Sequence, residues 1–349
     1  MQTPPTDFDG RLLGLIERRV PLVRRPYVQI AAQLGAGERQ VLDRLAALRG
    51  EGGLIREIAG IFDAAVLGYS QVLVALRVKA DSADAAGRLA AEHPGVSHCY
   101  KRTGSYNVWL TLATSPESTL GLEKTAAVLS HLCGADSHMV LPALKRYKLL
   151  VRFSAPQAGE NQAYEPQPAG SGRRPRPGDL ADDRLLAVHA LQMDLPNESE
   201  PFKAVAANVG IDADDLLVHG ADFLAAGWMR RYAAVLRHRK AGAAENVLVA
   251  WRIEPERADR AGEICAKLPQ VSHCYLRPRA EDWPYTLYTM IHGPDRAACE
   301  RAIAELAGSA GLGGHVELWT VAEFKKQRVR LFSGEETRWE AKHRNARGR

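Results

Sequence analysis

The chain is expected to adopt an α+β fold made of two homologous halves, each a winged helix-turn-helix followed by a ferredoxin-like βαββαβ domain. Three observations lead there. Val96-Ser97-His98-Cys99-Tyr100-Lys101-Arg102 recurs as Val271-Ser272-His273-Cys274-Tyr275-Leu276-Arg277, shifted by 175 residues. The same shift superposes Pro26-Tyr27 on Pro201-Phe202, Gly35 on Gly210 and Leu54-Ile55-Arg56 on Met229-Arg230-Arg231, and a constant offset marks an internal duplication. Within each half, helical periodicity gives way to a β-α-β-β-α-β order.

The first half sets the pattern. Asp9 to Glu17 reads as a helix with Leu12, Leu13, Leu15 and Ile16 inward. Tyr27 to Leu34 is a second helix, closed by Gly35. Glu38 to Arg49 is a third, with Val41, Leu42, Leu45 and Leu48 at helical spacing. Gly52-Gly53 ends it, and Leu54-Ile55-Arg56 starts an extended wing, the order of a winged helix-turn-helix. Val72 to Val78 then reads as a strand and Asp84 to Glu92 as a helix. Val96 to Lys101 and Asn107 to Ala113 form two strands around a turn at Gly104. Glu117 to Leu132 is a helix, and Met139 to Leu150 is extended. One antiparallel sheet with helices on one face follows. The second half repeats this, with strands near Val247–Ile253, Val271–Leu276, Tyr285–His292 and His315–Val321.

These elements divide the chain into a helix-turn-helix at 1–65, a ferredoxin-like domain at 66–153, a linker at 154–179, a second helix-turn-helix at 180–240, a second ferredoxin-like domain at 241–334 and a charged tail at 335–349. The linker is rich in Pro, Gly, Gln and Ala, without apolar periodicity, and reads as a flexible tether. The tail is expected to fray.

Composition narrows the class. At 349 residues, with 46% hydrophobic and 25% charged residues, the chain can bury several cores. A net charge of +5 favours an anionic ligand without arguing for nucleic acid. Five cysteines, none in a CxxC pair, argue against a disulfide framework. Met1 to Asp9 lacks the apolar core of a secretion signal, and no run approaches the ~18 apolar residues of a membrane span. The expectation is a reduced, cytoplasmic protein with no membrane partner. No metal-ligand spacing, phosphate loop, nucleophile elbow or dinucleotide fingerprint is present, so neither a protein-only metal site nor an organic cofactor is expected.

The recurring heptapeptide is the chemical candidate. Residues i and i+2 of a strand share a face. His98, Tyr100 and Arg102 therefore point one way, as do His273, Tyr275 and Arg277. Cys99 and Cys274 point the other way, toward the helices, as small core residues.

A helix-turn-helix followed by βαββαβ resembles the Lrp/AsnC regulators and their enzymatic relatives, the siroheme decarboxylases of heme d1 and alternative heme biosynthesis. The regulator pattern is carried by Arg11-Leu12-Leu13, Ile30-Ala31-Ala32-Gln33-Leu34-Gly35 and Val41-Leu42-Asp43-Arg44-Leu45. The decarboxylase branch is carried by His98-Cys99-Tyr100-Lys101-Arg102 with Tyr106-Asn107-Val108-Trp109. In the second half it is carried by Arg230-Arg231-Tyr232, Leu236-Arg237-His238-Arg239 and His273-Cys274-Tyr275-Leu276-Arg277. Trp283-Pro284-Tyr285 and Met290-Ile291-His292-Gly293 complete the set. The resemblance covers nearly the whole chain, and the chain looks like the two related subunits of such an enzyme fused. Cys99 and Cys274 depart from the family's more usual Asn, a change that a small residue facing away from the ligand tolerates.

The resemblance implies a carboxy-lyase that converts siroheme to 12,18-didecarboxysiroheme. Siroheme carries eight carboxylates on an iron macrocycle, so a protein must supply cations, apolar walls and a proton donor. Arg102, Arg230, Arg231, Arg237, Arg239, Arg277 and Arg279 are the candidate cations, with His238 beside them. Trp109, Trp283, Tyr285, Tyr288 and Met290 are the candidate walls. Trp283 precedes Pro284 in an expected loop, where an exposed aromatic is explained by a ligand. His273, Tyr275, His98 and Tyr100 are the catalytic candidates. A histidine protonated near neutrality can hold a carboxylate or protonate the carbon that loses carbon dioxide, and either histidine could instead be an axial ligand of the substrate's iron. The second half is expected to carry more of the catalysis. At its wing the first half has Ile55 for Arg230, Glu57 for Tyr232 and Asp63 for His238, and carboxylates there would repel the substrate.

The other class weighed is a DNA-binding regulator that senses a small ligand, and a third is a tetrapyrrole carrier. A groove-reading helix needs a positive surface. The third helix of the second half instead offers Asp212, Asp214, Asp215 and Asp222. In the first half, Glu38 and Asp43 offset Arg39 and Arg44. Two diverged halves also lose the symmetry of a palindromic site. No specific DNA partner is expected, and the ferredoxin-like sheets are the expected homo-oligomer contact.

Overall fold

The computed structural model describes residues 7–49, 53–149, 172, 174–176, 178–237 and 245–344. The linker expectation falls almost wholly outside them. The chain resolves into two compact units. The first comprises Met1–Tyr69, Ser154–His238 and Arg330–Ser333, and the second comprises Ser70–Phe153, Arg239–Val329 and Gly334–Arg349.

The first unit collects both helix-turn-helix segments. Its helices are α1 (Asp7–Arg18), α2 (Pro26–Leu34) and α3 (Glu38–Arg49) from one half. The other half gives α6 (Asp182–Leu191), α7 (Pro201–Val209) and α8 (Ala213–Ala225). The duplicated signals act alike. Pro26 and Pro201 each open a helix at its first turn, where no N–H is needed. Gly35 and Gly210 each close one with φ of 65° and 77°, a left-handed conformation that favours glycine. The expected wings do not fold back within their own halves. β1 (Ile55–Phe62) pairs antiparallel with β7 (Met229–Leu236), so one strand from each half makes a shared ribbon.

The second unit is a nine-stranded sheet in the order β5-β2-β4-β3-β11-β8-β10-β9-β6. Its strands are β2 (Ser70–Arg77), β3 (Val96–Arg102), β4 (Val108–Thr114), β5 (Ser137–Pro142), β6 (Lys145–Leu149), β8 (Glu245–Arg252), β9 (Val271–Leu276), β10 (Leu287–Gly293) and β11 (Gly313–Lys326). Each half contributes the four-strand order of a ferredoxin-like domain. The helices are α4 (Ala83–Ala91) and α5 (Gly121–Leu132), then α9 (Pro255–Lys267) and α10 (Arg296–Ser309).

Alternation along the strands sorts their side chains into separate cores. Val72, Val74 and Leu76 of β2 pack with Ala86, Ala90 and Leu129 of α4 and α5. Val247, Val249 and Trp251 of β8 do the same with Cys265 and Ile303. The opposite face buries a cluster drawn from both halves, including Ala75, Trp109, Leu141, Ala250, Tyr288 and Leu318. Full burial of each large apolar side chain stabilises the fold by about 1.5–3 kcal/mol.

The expected single extended segment from Met139 to Leu150 is two strands. β5 pairs with β2 of its own half, and β6 pairs with β9 of the other. β11 does both jobs in one long strand, since Gly313 to Trp319 pairs with β8 and Thr320 to Lys326 with β3. The two strands bearing the recurring heptapeptide are thus each completed by the other half.

The tail does not fray up to His343. Glu335–His343 forms α11, and its Glu340 is buried. That carboxylate accepts hydrogen bonds from the Ser118 and Thr119 hydroxyls and the Thr119 N–H, while Trp339 meets the His93 ring edge-on at 4.2 Å. A buried carboxylate with several donors anchors the helix. No helix among the described residues is long and apolar enough to cross a membrane.

Candidate functional site

β3 and β9 fold the heptapeptide in the same way. On β3, Val96 pairs with Leu112 and His98 with Thr111, so Ser97 is an extra residue, a β-bulge. On β9, Val271 pairs with Ile291 and His273 with Met290, which puts the bulge at Ser272. A bulge re-aims side chains, and here it brings each serine to its neighbouring histidine. Ser97 Oγ lies 3.0 Å from His98 Nδ1, and Ser272 Oγ lies 2.8 Å from His273 Nδ1.

Beyond the bulge, ordinary alternation holds. The His98 and Tyr100 rings stack with centroids 6.3 Å apart, as do those of His273 and Tyr275. The Arg102 guanidinium sits 5.0 Å over the Tyr100 ring, and that of Arg277 sits 5.0 Å over Tyr275. The expected common face of histidine, tyrosine and arginine is therefore present on both strands. The cysteines face the helices, with Cys99 Sγ 3.4 Å from the Gly87 carbonyl and Cys274 Sγ 3.8 Å from the Gly262 carbonyl. Burial pushes the Cys99 thiol up to about 12, so it stays a neutral core group.

Both arginines are anchored through one nitrogen. Arg102 Nη1 donates to the Leu318 carbonyl and the Thr320 hydroxyl, each at 2.9 Å. Arg277 Nη1 donates to the Leu141 carbonyl. In each, Nε is buried without a hydrogen-bond partner among the described residues. Burial lowers the Arg102 guanidinium to about 10 and lowers Arg277 as well. Both remain cations at neutral pH, held where bound carboxylates would offset their desolvation.

His273 differs from the expectation of a histidine protonated near neutrality. Burial, then the positive charges of His98, Lys326 and Arg277, lowers it to about 4. Without a bound anion it is neutral at pH 7. Ser272 Oγ also lies 2.9 Å from His292 Nε2 and 3.3 Å from the Met290 carbonyl. One hydroxyl proton cannot serve two imidazoles, so at least one ring donates its N–H to the serine. The first half has Ala113 where the second has His292, so this relay exists on β9 alone.

The apolar candidates gather in one cluster. Trp109 is buried and donates its indole N–H to the Tyr106 carbonyl at 2.7 Å. Trp283 is not the exposed aromatic expected beside Pro284. It is 4% exposed, packs at 5.6 Å from the Tyr106 ring, 5.7 Å from Trp109 and 4.9 Å from Tyr285, and donates to the Tyr288 hydroxyl at 2.8 Å. The reason is the longer turn between β9 and β10, which folds inward. It is pinned by Asp282, which accepts from Tyr106 at 2.9 Å and pairs with Arg77. Tyr285, Tyr288 and Met290 border the same cluster. Arg279 is exposed and pairs with Glu254 at 3.3 Å.

The wing cations belong to the first unit and are engaged there. Arg230 donates to Asp63 at 3.0 and 2.8 Å, Arg231 to the Glu17 carbonyl at 3.0 Å, and Arg237 to the Gly53 and Ile55 carbonyls at 2.9 Å. The expected repulsion from Asp63 is corrected by the same contact, because Arg230 neutralises it. His238 and Arg239 lie outside the described residues. Sequence reasoning missed Ser97, Ser272 and Thr320. The two serines were legible, since they recur within the heptapeptide itself, whereas Thr320 joins Arg102 only through the pairing of β11 with β3.

The AsnC-like ligand binding domain family matches residues 66–148 and 240–325, and the siroheme decarboxylase NirDL-like HTH domain family matches residues 9–56. The chain is 33% identical to the siroheme decarboxylase NirDL subunit of Paracoccus pantotrophus, covering 86% of this chain and 91% of that one. It is 28% identical to the siroheme decarboxylase of Hydrogenobacter thermophilus, covering 95% and 97% respectively. The crystal structure of the siroheme decarboxylase NirDL in co-complex with an iron-uroporphyrin III analogue superposes with a TM-score of 0.75. That match has 25% identity over 97% of this chain and 99% of that chain.

Proposed function

This chain belongs to the siroheme decarboxylase family, and from that premise we propose that it removes two acetate carboxyls from siroheme to give 12,18-didecarboxysiroheme. The observation that carries the proposal is the duplicated face of histidine, tyrosine and arginine, each histidine held by a bulged serine. Arg102 and Arg277 supply buried cations for carboxylates. Tyr285 and Met290, only partly buried, supply apolar surface for a macrocycle, and the buried Trp109, Trp283 and Tyr288 back them from within the core. His273 enters neutral, and a substrate carboxylate beside it raises its proton affinity. It can then pass a proton to the carbon that loses carbon dioxide, with Tyr275 adjacent to steady the charge. His98 and Tyr100 do the corresponding work on the first face.

The iron belongs to the substrate, and no organic cofactor is required in this scheme. The reaction takes place in the cytoplasm, in a homo-oligomer formed through the ferredoxin-like sheets. Specific DNA binding is disfavoured because Arg44 is held by buried Asp9 at 2.7 Å and Arg39 by Asp43 at 3.1 Å, leaving little positive surface on α3. The test is anaerobic incubation of purified protein with siroheme, followed by mass spectrometry. Loss of two carbon dioxide units is expected, and unchanged siroheme overturns the proposal.

A further inference from the structure

The strands that cross between the halves are equivalent in register, but the residues they set opposite the two tyrosines are opposite in charge. β6 pairs with β9 so that Arg146 opposes Tyr275 and Leu149 opposes His273. The far end of β11 pairs with β3 so that Glu323 opposes Tyr100 and Lys326 opposes His98. Directly opposed residues of an antiparallel pair project to one face, with Cβ atoms about 4.5–5.5 Å apart. The intervening residues confirm the facing. Lys148, opposite Cys274, reaches the Leu268 carbonyl at 2.7 Å, and Lys325, opposite Cys99, reaches the Ala91 carbonyl at 2.8 Å, both on the helix side. Arg146 and Glu323 therefore share the face of the histidine, tyrosine and arginine groups. Arg146 is exposed and makes no hydrogen bond or ion pair with any described residue. Its charge adds to that of Arg277 on a face whose remaining opposed residue is apolar Leu149. On the first face, the charge beside the tyrosine is negative and the lysine stands beside the histidine instead.

Resting on the siroheme decarboxylase reading, we propose that Arg146 binds a substrate carboxylate above Tyr275, and that Glu323 denies the equivalent place above Tyr100 to a carboxylate. The exchanged strand, rather than the shared heptapeptide, then makes the two faces unequal. Arg146 is a specificity-determining residue contributed by the first half to the site of the second.

The experiment compares the full-length parent with Arg146→Glu, Arg146→Gln, Glu323→Arg and the charge-matched control Lys124→Glu, which alters an exposed residue of α5. Binding is read by absorption titration with the iron-uroporphyrin III complex, and turnover by the ratio of mono- to didecarboxylated siroheme. Neutralisation at 146 is expected to weaken binding about threefold, the scale of losing an exposed ion pair, and charge reversal about tenfold, because repulsion is added to the loss. Arg146→Glu is also expected to let monodecarboxylated product accumulate, Glu323→Arg to tighten binding, and Lys124→Glu to bind as the parent does. Equal binding by Arg146→Glu and the parent overturns the assignment, as does an equal loss in Lys124→Glu, which would make the effect one of bulk charge. A parent that binds the iron tetrapyrrole but leaves siroheme unchanged overturns the catalytic reading while leaving the binding comparison decisive. A parent that binds none overturns both.

Discussion

Arg230 and Asp63 form a two-bond contact at 3.0 and 2.8 Å between β7 and the end of β1, with the Asp63 side chain 4% exposed. The same carboxylate accepts from the N–H groups of Ala65 and Val66 at 3.2 Å. Arg230→Ala would leave that charge buried without its cation. Removing one partner of a buried pair costs about 3–5 kcal/mol. The expected outcome is a lowered urea midpoint for Arg230→Ala, with the affinity of the folded protein for siroheme kept. Weaker binding at unchanged stability would return Arg230 to the substrate.

That contact shows where sequence reasoning stops. α3 and β9 occupy the residues their patterns assign, Glu38–Arg49 and Val271–Leu276, because helical and alternating periods are local properties. The facing of His98, Tyr100 and Arg102 follows for the same reason. Periodicity does not say which strand lies alongside. The pairing of β1 with β7, which joins Asp63 to Arg230, and the departure of β6 to β9 are tertiary choices. The burial of Trp283 is likewise tertiary, since a tryptophan before a proline reads as an exposed turn residue and only the inward fold of that turn buries it.

The exchanged strands also explain two glycines. A Cβ at Gly87 would come 2.0 Å from the Phe324 ring of β11, and one at Gly262 would come 2.4 Å from the Tyr147 ring of β6. Each helix must approach its strand closely for the aromatic to lie over it. Gly262→Ala is expected to destabilise by about 1–3 kcal/mol through overpacking. Adding Tyr147→Leu should recover part of the loss. A double-mutant cycle of denaturation midpoints measures this, and strict additivity would refute the contact.

Acid should unfold the protein through histidines that stay neutral when folded. His93 is fully buried, accepts from the Gly95 N–H at 2.9 Å, and is lowered by burial and Lys325 to about 3. His273 is lowered to about 4. An unfolded histidine titrates near 6.5, so below that pH the unfolded chain binds protons that the folded one refuses. Stability is full above about pH 6.5 and falls as pH drops toward 4 and then 3, at up to about 1.4 kcal/mol per unit for each histidine. Urea midpoints at pH 7 and pH 5 should differ accordingly. His93→Gln, which keeps an acceptor for Gly95, should reduce the difference, and a midpoint that rises on acidification would contradict the argument.

The two histidine faces should contribute unequally to turnover. His273 has a serine shared with His292, Arg277 over its tyrosine neighbour, and Arg146 across the strand. His98 has a serine of its own, Arg102 anchored additionally by Thr320, and across the strand Lys326 opposite itself and Glu323 opposite Tyr100, two charges that offset each other. An anionic substrate meets more positive charge on the second face, and a proton released there can pass between two imidazoles. His273→Ala is expected to slow formation of didecarboxylated product by roughly 10²–10⁴-fold, the range for losing a general acid. His98→Ala should cost less, and His292→Ala should shift the pH profile of the rate because it removes the second imidazole from Ser272. Single-turnover assays that resolve mono- and didecarboxylated siroheme read all three. Equal losses at His98 and His273 would mean that both faces act on every substrate molecule. A larger loss at His98 would place the demanding step on β3 and reverse the assignment that the charge pattern supports.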